Sequence, residues 1–570
     1  MQQRFRGMGL IDVIVGSALV LVMFLALMGV LRASIMLSSL AKANAGADSL
    51  ASSQMEYLRG LSYDDLGTIG GIPAGMVPQT KITTTDNTKY TITNYIQYVD
   101  DPADGLGAND TNGIITDYKI GKVTISYFAG GKTRKVVLIS TFAPPGIETT
   151  NGGGTLQINV VNAVGAPVPG ATVHIINVNT SPTVDLSTFS NTSGTVYLPG
   201  AATSTSYQIV VTKSGYSSAQ TYARTTNNQN PSPGYLTVVK DKTTTGTFAI
   251  DLLASLTMHT YSPPAPGSFS DTFNDESLLS ATTSVDAVGG VLKLVMPATS
   301  GSALSVPISP SLLHSWGTLS AGISAASGSS VLVRIYDGSG VLVPDNVLSG
   351  NAAGFSTFPV DLSDISTTTY PTLAIGANLT TTASSIVPKV LKWSLGYTTG
   401  PTPLPNVSFT LTGTKTIGST GTGTTLPKNK IPVITNVDGK QVLSLEWDAY
   451  SISALTGYDI ENACPIPPYT LAPNSTNFAT LTLVPQTTNR LYAVVQDVNG
   501  TPVPGATVVL ASTKASYTKT QTSSACGGVY FGGLTSETDY TITISKSGYT
   551  TTPFTGISIA GQTLYPVSFP

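Results

Sequence analysis

Hydrophobic and polar residues follow two kinds of pattern along this chain of 570 residues. The first is helical: residues 8–31 form an apolar run that is long enough to cross a membrane as a helix of roughly 36 Å. Helical spacing of apolar residues then continues along one face, at Leu37, Leu40, Ala43, Ala47, Leu50, Leu58 and Leu61. Gly60 and Gly67 weaken this pattern, so we expect the helix to stop in this region.

The second pattern is alternation of apolar and polar residues, which is typical of strands. In the segment KYTITNYIQYVD it places Tyr90, Ile92, Ile96 and Tyr98 on one face. The segments GKVTISYF and TRKVVLISTF continue the alternation, which predicts a small antiparallel sheet packed on the second half of the helix. Short alternating runs between Gly, Pro and Asn turns fill the remaining sequence. The predicted fold class is therefore mainly β with one long N-terminal α-helix.

The remaining sequence contains an internal repeat. GAPVPGATVHI at 165–175 matches GTPVPGATVVL at 500–510, and SYQIVVTKSGY at 206–216 matches DYTITISKSGY at 539–549. Two matches in the same order indicate that one supersecondary unit was duplicated. A third, degenerate copy is predicted at 401–460. Residues 262–400 differ from the copies, and their many short strands predict a larger β-sandwich of jelly-roll or lectin-like type.

Composition excludes several functional classes. Charged residues make up 10% of the chain and apolar residues 41%, so the chain can bury several cores. The net charge of −3 provides no electrostatic footprint for nucleic acid. The sequence has no Gly-rich phosphate loop and no GxSxG, HExxH or CxxC motif, so we predict that it is not an enzyme. The open alternative is an enzyme in which two carboxylates from distant strands of 262–400 meet.

Two cysteines, Cys464 and Cys526, are too few for a disulfide scaffold, and the three histidines share no ligand spacing with them. If this part of the chain is exported, the two thiols are expected to pair with each other. Two independent buried thiols are the alternative.

Asp12 is the one charged residue in the apolar run. A carboxylate near the middle of a membrane costs roughly 2.5–3.5 kcal/mol. The run is too long for a secretory signal peptide, and a permanent membrane anchor leaves Asp12 unexplained. A secretory signal peptide and a permanent membrane anchor remain alternatives to the interpretation that follows.

The third interpretation rests on a resemblance of the segment RFRGMGLIDVIV to a known family. A short basic leader that ends in Gly, followed by an apolar helix with an acidic fifth residue, resembles the N-terminus of type IV prepilins and pseudopilins. The resemblance implies cleavage after Gly7, methylation of the new N-terminal Met8, and a role for Asp12 in filament assembly. Family members usually have Phe first and Glu fifth, so Met8 and Asp12 are departures. SLASSQMEYLRGLSYDDLGT and TDYKIGKVTISYF look like minor pilins of the pilus-modification type.

A second resemblance concerns the repeats. PVPGATV followed by TKSGY resembles carboxypeptidase-regulatory-like, or Cna-B-like, immunoglobulin-type domains of bacterial surface proteins. Some members of that fold class carry Lys–Asn isopeptide crosslinks. The opening strands TLQINVVN and RLYAVVQDV contain no Lys, so we predict no such bond here.

Together these patterns and resemblances predict a pilin-like α+β head followed by a string of antiparallel β-sandwich domains. The predicted parts are a prepilin leader at 1–7, a long helix at 8–66 with its membrane-spanning half at 8–31, a pilin-like β head at 67–145, a linker at 146–154, immunoglobulin-like repeats at 155–255, 401–485 and 488–570, and the larger sandwich at 262–400.

Two ligand sites are candidates. The acidic loop residues Asp100, Asp101, Asp104, Asp110 and Asp117 supply oxygens of the kind that calcium prefers, although a solvated acidic turn is the favoured interpretation. No other cofactor is expected. Trp316, Trp393 and Tyr397 are candidates for stacking on a glycan, with core packing as the default for Trp393 because it alternates with leucines.

The pilin resemblance implies a minor subunit that inserts into a pilus at the tip or at rare positions and displays its β-domains for adhesion. Its expected partners are other pilin subunits, the prepilin peptidase, and surface glycans or a neighbouring or host cell surface. It would span the inner membrane once before assembly and then reach the extracellular surface. The alternatives are a membrane-anchored glycan-binding surface protein and a pseudopilin of a secretion or DNA-uptake system.

Overall fold

The computed structural model describes residues 10–103, 105, 116–145, 153–549 and 551–568. Over these residues it has one long α-helix, α1 (Leu10–Arg59), and 41 strands. The predicted class, mainly β with a long N-terminal helix, is confirmed. Five buried hydrophobic clusters divide the molecule into five packed units. The predicted leader at 1–7 and most of the predicted linker at 146–154 lie outside the described residues.

The second half of α1 packs on a sheet through a narrow stripe of mostly small residues. The stripe consists of Ala43, Ala47, Ala51, Met55 and Leu58, all buried. The apolar pattern of the sequence correctly predicts Ala43, Ala47 and Leu58 in this stripe. It does not include Ala51 and Met55. Its first member, Leu37, is instead 66% exposed. The helix ends at Arg59, before the predicted bound at 66.

The sheet beneath α1, which we call the head sheet, is antiparallel with strand order β1-β2-β3-β4. Its strands are β1 (Thr80–Thr85), β2 (Thr88–Val99), β3 (Tyr118–Ala129) and β4 (Lys132–Phe142). Alternation in β2 places Tyr90, Ile92, Ile96 and Tyr98 on one face, and all four are buried. The first three pack in the cluster that includes α1. The predicted face is thus confirmed. The opposite, outer face of the sheet is mainly polar.

The first repeat domain is a sandwich of two small sheets, with β13-β5-β8 in one and β10-β9-β6-β7 in the other. Its strands are β5 (Gly154–Val161), β6 (Thr172–Asn177), β7 (Val184–Phe189), β8 (Thr195–Ala201), β9 (Ser204–Thr212), β10 (Ala219–Gln220), β11 (Asn230–Pro231), β12 (Leu236–Val238) and β13 (Thr243–Ala249). Val, Ile and Leu at alternate positions of these strands form the core between the sheets.

The next strand, β14 (Ala254–Ser262), leads into the larger sandwich. The sandwich strands are β15 (Ala265–Asp271), β16 (Leu279–Thr283), β17 (Val285–Val288), β18 (Val291–Leu294), β19 (Ser300–Ser305), β20 (Leu313–Ser324), β21 (Ser329–Asp337), β22 (Val360–Asp361), β23 (Leu373–Thr381) and β24 (Lys389–Thr399). One sheet holds β17-β18-β24-β20-β22 with β15 on β24, and the other holds β16-β19-β23-β21. They enclose one large core.

The second repeat domain follows the sandwich in sequence. Its further strands are β25 (Thr402–Pro403), β26 (Ser408–Gly413), β27 (Thr416–Ser419), β28 (Thr425–Pro427), β29 (Lys430–Ile434), β30 (Lys440–Leu445), β31 (Asp448–Ser453), β32 (Tyr458–Cys464), β33 (Tyr469–Leu471) and β34 (Thr476–Pro485). One of its sheets is β29-β26-β31-β33, which packs on a sheet that contains β34 and β32.

The second repeat domain begins before the larger sandwich, which corrects the predicted boundaries at 255 and 401. Strand β14 pairs in parallel with β34 and antiparallel with β30, and its apolar side chains lie in the core of the second domain. The larger sandwich is therefore an insertion after the first strand of this domain. Ser262 pairs with Thr402 and Ala265 with Thr399, so the two connections run side by side.

The third repeat domain closes the described chain. Its strands are β35 (Arg490–Gln496), β36 (Thr507–Ser512), β37 (Tyr517–Thr522), β38 (Gly528–Gly532), β39 (Glu537–Ser545), β40 (Thr552–Ile559) and β41 (Gln562–Ser568). The sheets are β38-β35-β41 and β37-β36-β39-β40.

The three repeat domains share one topology. In each, the first strand pairs in parallel with the last one, as β5 with β13, β14 with β34 and β35 with β41. A buried Tyr hydroxyl in each domain also donates to a backbone oxygen a few residues upstream: Tyr207 to Ala202 at 2.8 Å, Tyr450 to Glu446 at 3.0 Å and Tyr540 to Thr535 at 3.0 Å. Such a tyrosine corner is a recurring feature of immunoglobulin-like sandwiches. The degenerate second copy therefore keeps both the pairing and the corner.

Candidate functional site

The first half of α1 is an apolar surface that the rest of the described chain leaves uncovered. Between Ile14 and Leu37 the exposed large apolar side chains all have more than half of their surface accessible, for example 58% for Ile14 and 71% for Val30. Within the described residues, one helix segment, Ile14–Arg59, is long and apolar enough to cross a membrane, a property that a signal sequence shares. An apolar surface of this size marks a site of contact with lipid or protein.

The predicted processing residues lie at the edge of the described chain. Gly7 and Met8 are outside the described residues, and Asp12 lies in the first turns of α1, where the side chain is not described. Their predicted roles in leader cleavage and filament assembly therefore remain predictions.

The second half of α1 is fixed to the head sheet by hydrogen bonds as well as apolar contacts. The Tyr90 hydroxyl donates to the Ala43 carbonyl oxygen at 3.1 Å, and the Tyr127 hydroxyl donates to the Asn44 side chain. A Cβ atom added to Gly46 would lie 2.6 Å from the Tyr90 hydroxyl, so the absence of a side chain there lets the sheet approach the helix. The exposed half and the head thus share one rigidly mounted helix.

A buried lysine attaches the loop after α1 to the head sheet. Lys119 on β3 is 2% exposed, and its Nζ donates to the Tyr63 backbone oxygen at 2.6 Å. The same Nζ lies 4.3 Å from the centre of the Tyr63 ring, which is a cation–π contact. These contacts offset part of the cost of burying the ammonium group.

The acidic loop is only partly described, because Asp104 and Asp110 lie outside the described residues. Asp101 donates its backbone N–H to the Asp117 carboxylate at 2.6 Å, while Asp100 accepts from the Tyr197 hydroxyl at 3.0 Å. In the part of the chain that the structure describes, no three His, Cys, Asp or Glu residues are grouped so that they could hold a metal ion. The calcium site therefore stays an untested prediction.

Neither tryptophan is available for stacking on a glycan, and the default prediction of core packing for Trp393 is confirmed. Trp316 is 1% exposed and donates its Nε1–H to the Tyr370 carbonyl oxygen at 2.8 Å. Trp393 is fully buried and packs edge-on against Phe273, with ring centres 4.9 Å apart. Tyr397 is half-buried and packs against Trp316. Alternation on β20 and β24 directs these rings inward, so they form the core of the larger sandwich rather than a binding surface.

The head and the first repeat domain are joined by a polar interface. The Asp185 N–H donates to the Gly70 carbonyl oxygen at 2.7 Å, and the Gln79 amide donates to the Asp185 carbonyl oxygen at 2.5 Å. Ile72 from the head reaches into the core of the first repeat domain. Burial raises the pKa of Tyr197 to about 12, and the Asp100 carboxylate beside its hydroxyl acts in the same direction.

The first and second repeat domains are joined through an additional sheet and a buried ion cluster. Strand β11 of the first domain pairs with β27 of the second, and the Asn228 amide donates to the Ile417 carbonyl oxygen at 2.9 Å. Glu446 is 7% exposed, and its two carboxylate oxygens form ion pairs of 2.7 Å with the Nζ atoms of Lys415 and Lys428. Lys428 also donates to the Ser218 carbonyl oxygen at 2.6 Å, which links the cluster to the first domain.

The second and third repeat domains are joined covalently and by a buried ion pair. The structure links Cys464 at the end of β32 to Cys526 before β38 by a disulfide, with 5.5 Å between their Cα atoms. Arg490 Nε lies 2.7 Å from Asp459 Oδ1, and the Tyr530 hydroxyl donates to Asp459 Oδ2 at 2.7 Å. These interfaces tie each repeat domain to its neighbour. The sequence pattern missed the ionic contacts, because their partners come from different elements and share no local spacing.

Comparison with known proteins agrees with this architecture at the C-terminal end. The carboxypeptidase regulatory-like domain family matches residues 490–569. No curated protein matches the chain.

Solved structures show weak similarity. The TIE protein of Bacillus anthracis is 11% identical with a TM-score of 0.16, over 86% of this chain and 73% of that one. BcpA, the major pilin subunit of Bacillus cereus, is 9% identical with a TM-score of 0.13, over 73% and 99%. The shaft pilin SpaA from Lactobacillus rhamnosus GG is 14% identical with a TM-score of 0.12, over 30% and 90%. Scores this low support no argument about function. The family match shows that the third repeat domain is similar to carboxypeptidase regulatory-like domains, as its sequence predicted.

Proposed function

We propose that this chain is a minor subunit of a type IV pilus or a related pilin-like filament, and that it displays its β-domains at the cell surface for adhesion or surface interaction. The observation that carries the proposal is α1 itself. One continuous helix of 50 residues offers an exposed apolar half and a second half mounted on a four-stranded antiparallel sheet.

The exposed half of α1 needs a cover in every state of the protein. A lipid bilayer can cover it before assembly, since the helix is long enough to span the hydrocarbon core of roughly 30 Å. In a filament, the same surface would be covered by the corresponding helices of neighbouring subunits. This exchange of lipid for protein accounts for an apolar half-helix that continues directly into a folded head.

Asp12 fits the same proposal. After cleavage behind Gly7, its carboxylate would lie about one helical turn from the new N-terminus, where the helix dipole favours an anion. A contact with the terminal amine of a neighbouring subunit would then offset the cost of placing the charge in an apolar surrounding.

The size of the projecting part favours rare positions over every position of a filament. Three repeat domains and an inserted sandwich follow the head, and their interfaces hold neighbouring repeat domains together. A body of this size would crowd adjacent subunits, so a place at the tip or at isolated positions is the better fit.

The proposal is tested by preventing leader cleavage. Gly7→Ala should leave the chain in the membrane fraction at the size of the uncleaved protein and remove it from filaments sheared from the cell surface. Gly16→Ala is the control for processing and should leave the size of the cleaved protein unchanged, since Gly16 lies outside the predicted leader and a Cβ atom there meets nothing within 4 Å in the chain itself. Normal surface display by the Gly7→Ala protein, without any change of size, would contradict the proposal and favour a permanently anchored surface protein.

A further inference from the structure

A cleft of about 650 Å³ lies between the outer face of the head sheet and the first repeat domain. Its floor comes from β2, β3 and β4, and its wall from β7, β8 and the turn between them. Pockets that bind small ligands usually have volumes of about 300–1,000 Å³, and they often form between domains. The cleft lies on the face of the head sheet opposite α1, so ligand binding there does not require filament insertion.

The cleft is lined mainly by groups that can form hydrogen bonds with hydroxyl groups of a ligand. Hydroxyl and amide side chains are contributed by both sides, namely Gln79, Thr80, Thr93, Gln97, Thr124, Ser126, Ser187, Thr188, Asn191 and Thr195. Such groups donate and accept hydrogen bonds equally well, as sugar hydroxyls do.

Aromatic and apolar side chains occur on both sides of the cleft. Tyr95 lies on the floor and Tyr197 on the wall, and Phe189 on the wall is 65% exposed. The Tyr95 hydroxyl donates to the neighbouring Gln97 Oε1 at 2.6 Å, which fixes the ring in place, and burial raises its pKa. Exposed ring faces beside hydrogen-bonding groups provide an apolar surface for the C–H face of a sugar ring.

The charge of the lining is positive. Lys122 and Lys135 are exposed on the floor, and the described lining residues include no Asp or Glu. In a chain whose net charge is −3, a lining with two lysines and no carboxylate favours an anionic ligand.

We propose that this cleft binds an oligosaccharide that carries carboxylate groups, such as a chain of uronic acids. The hydroxyl and amide groups would bind the sugar hydroxyls, the exposed ring would pack on a sugar face, and the two lysines would pair with the carboxylates.

The test is isothermal titration calorimetry of the full chain in detergent micelles, with hexagalacturonic acid as the probe and maltohexaose as its neutral counterpart. We expect binding of the acidic hexamer and at least about tenfold weaker binding of the neutral one, since charge-assisted hydrogen bonds exceed neutral ones in strength. The double variant K122Q/K135Q should weaken binding of the acidic hexamer by about tenfold or more.

The matched control is K89Q/K132Q, which removes the same charge from the head sheet outside the cleft lining. It should change affinity by no more than about twofold. Phe189→Ala, at an exposed position, should weaken binding of the acidic hexamer by about threefold to tenfold without changing the melting temperature. Absence of binding, equal binding of the neutral hexamer, or equal losses in the two double variants would each overturn the proposal.

Discussion

The two halves of α1 form one continuous helix but differ in the size and exposure of their side chains. Toward its start, large side chains such as Leu21, Phe24 and Leu25 cover the helix on all sides and are more than 60% exposed. In the second half, one face carries Ala47 and Ala51, which are fully buried against the head sheet. The comparison shows how a single helix can serve two surroundings. Small residues fix it to its own domain, while large apolar residues all around it fit an external apolar medium.

The side chains of the two halves are buried by different partners, so substitutions in them should change different free energies. Side chains in the second half gain their burial from folding of the head, so substitutions there should change the stability of the head. Side chains in the first half gain burial only from lipid or from other subunits. Substitutions there should change membrane insertion or assembly while leaving the head unaffected.

The largest effect is expected from matched leucine truncations. Leu58 is fully buried, so Leu58→Ala should destabilise the head by about 2–5 kcal/mol through lost contacts and a cavity. Leu25 is 65% exposed, and Leu25→Ala should leave the head unchanged. Hydrogen exchange of peptides from β2 and β3, read by mass spectrometry in detergent, measures this stability. Equal effects of the two substitutions would remove the distinction between the halves.

Matched enlargements should give the next largest effect. Ala47→Leu places extra methylene groups between helix and sheet, which typically costs about 1–3 kcal/mol. Ala33→Leu, at an exposed position of the same helix, should cost nothing in the same exchange experiment. If Ala47→Leu is tolerated without loss of protection, α1 does not pack on the sheet as closely as described.

Substitutions of Asp12 test whether the first half of α1 functions in filament assembly. Asp12→Asn should reduce the ratio of chain in sheared filaments to chain in the membrane by about tenfold, which corresponds to about 1.4 kcal/mol. Asp12→Glu keeps the charge and should restore most of the ratio. Quantitative immunoblots of both fractions measure it. If both variants assemble like the original chain, a charge at this position has no role in assembly.

The smallest effect is expected from a single hydrogen bond across the helix–sheet interface. Tyr90→Phe removes the donor to the Ala43 carbonyl oxygen and should cost about 0.5–1.5 kcal/mol. Tyr57 on the same helix is 47% exposed, so Tyr57→Phe serves as the control and should have no effect on exchange in β2. A cost for Tyr57→Phe as large as that for Tyr90→Phe would contradict the assigned interface.

Local periodicity explains what the sequence could predict. The helix, the inward face of β2 and the repeat were readable because each depends on residues close together in the chain. The helix end was missed because Gly60 already ends the hydrogen-bond ladder, while apolar residues continue to Leu61 and beyond.

Long-range pairing explains most of what was missed. Strand β14 belongs to the second repeat domain because Ser255 pairs with Thr476 across the inserted sandwich, and no local pattern indicates that partner. The buried pair of Asp459 and Arg490 and the cleft above the head sheet likewise arise from elements far apart in sequence. The sequence could not decide the place of Trp316, because an isolated Trp in a strand has the same local sequence in a core as on a binding face, whereas alternation with leucines correctly favoured the core for Trp393.

The most direct test of the central claim is the mass of the N-terminal peptide of the chain recovered from sheared surface filaments. The proposed function predicts a peptide that begins at Met8, carries a methyl group on its amine and retains Asp12 as its fifth residue. A chain that begins at Met1 and is recovered only from membranes would contradict insertion into a filament.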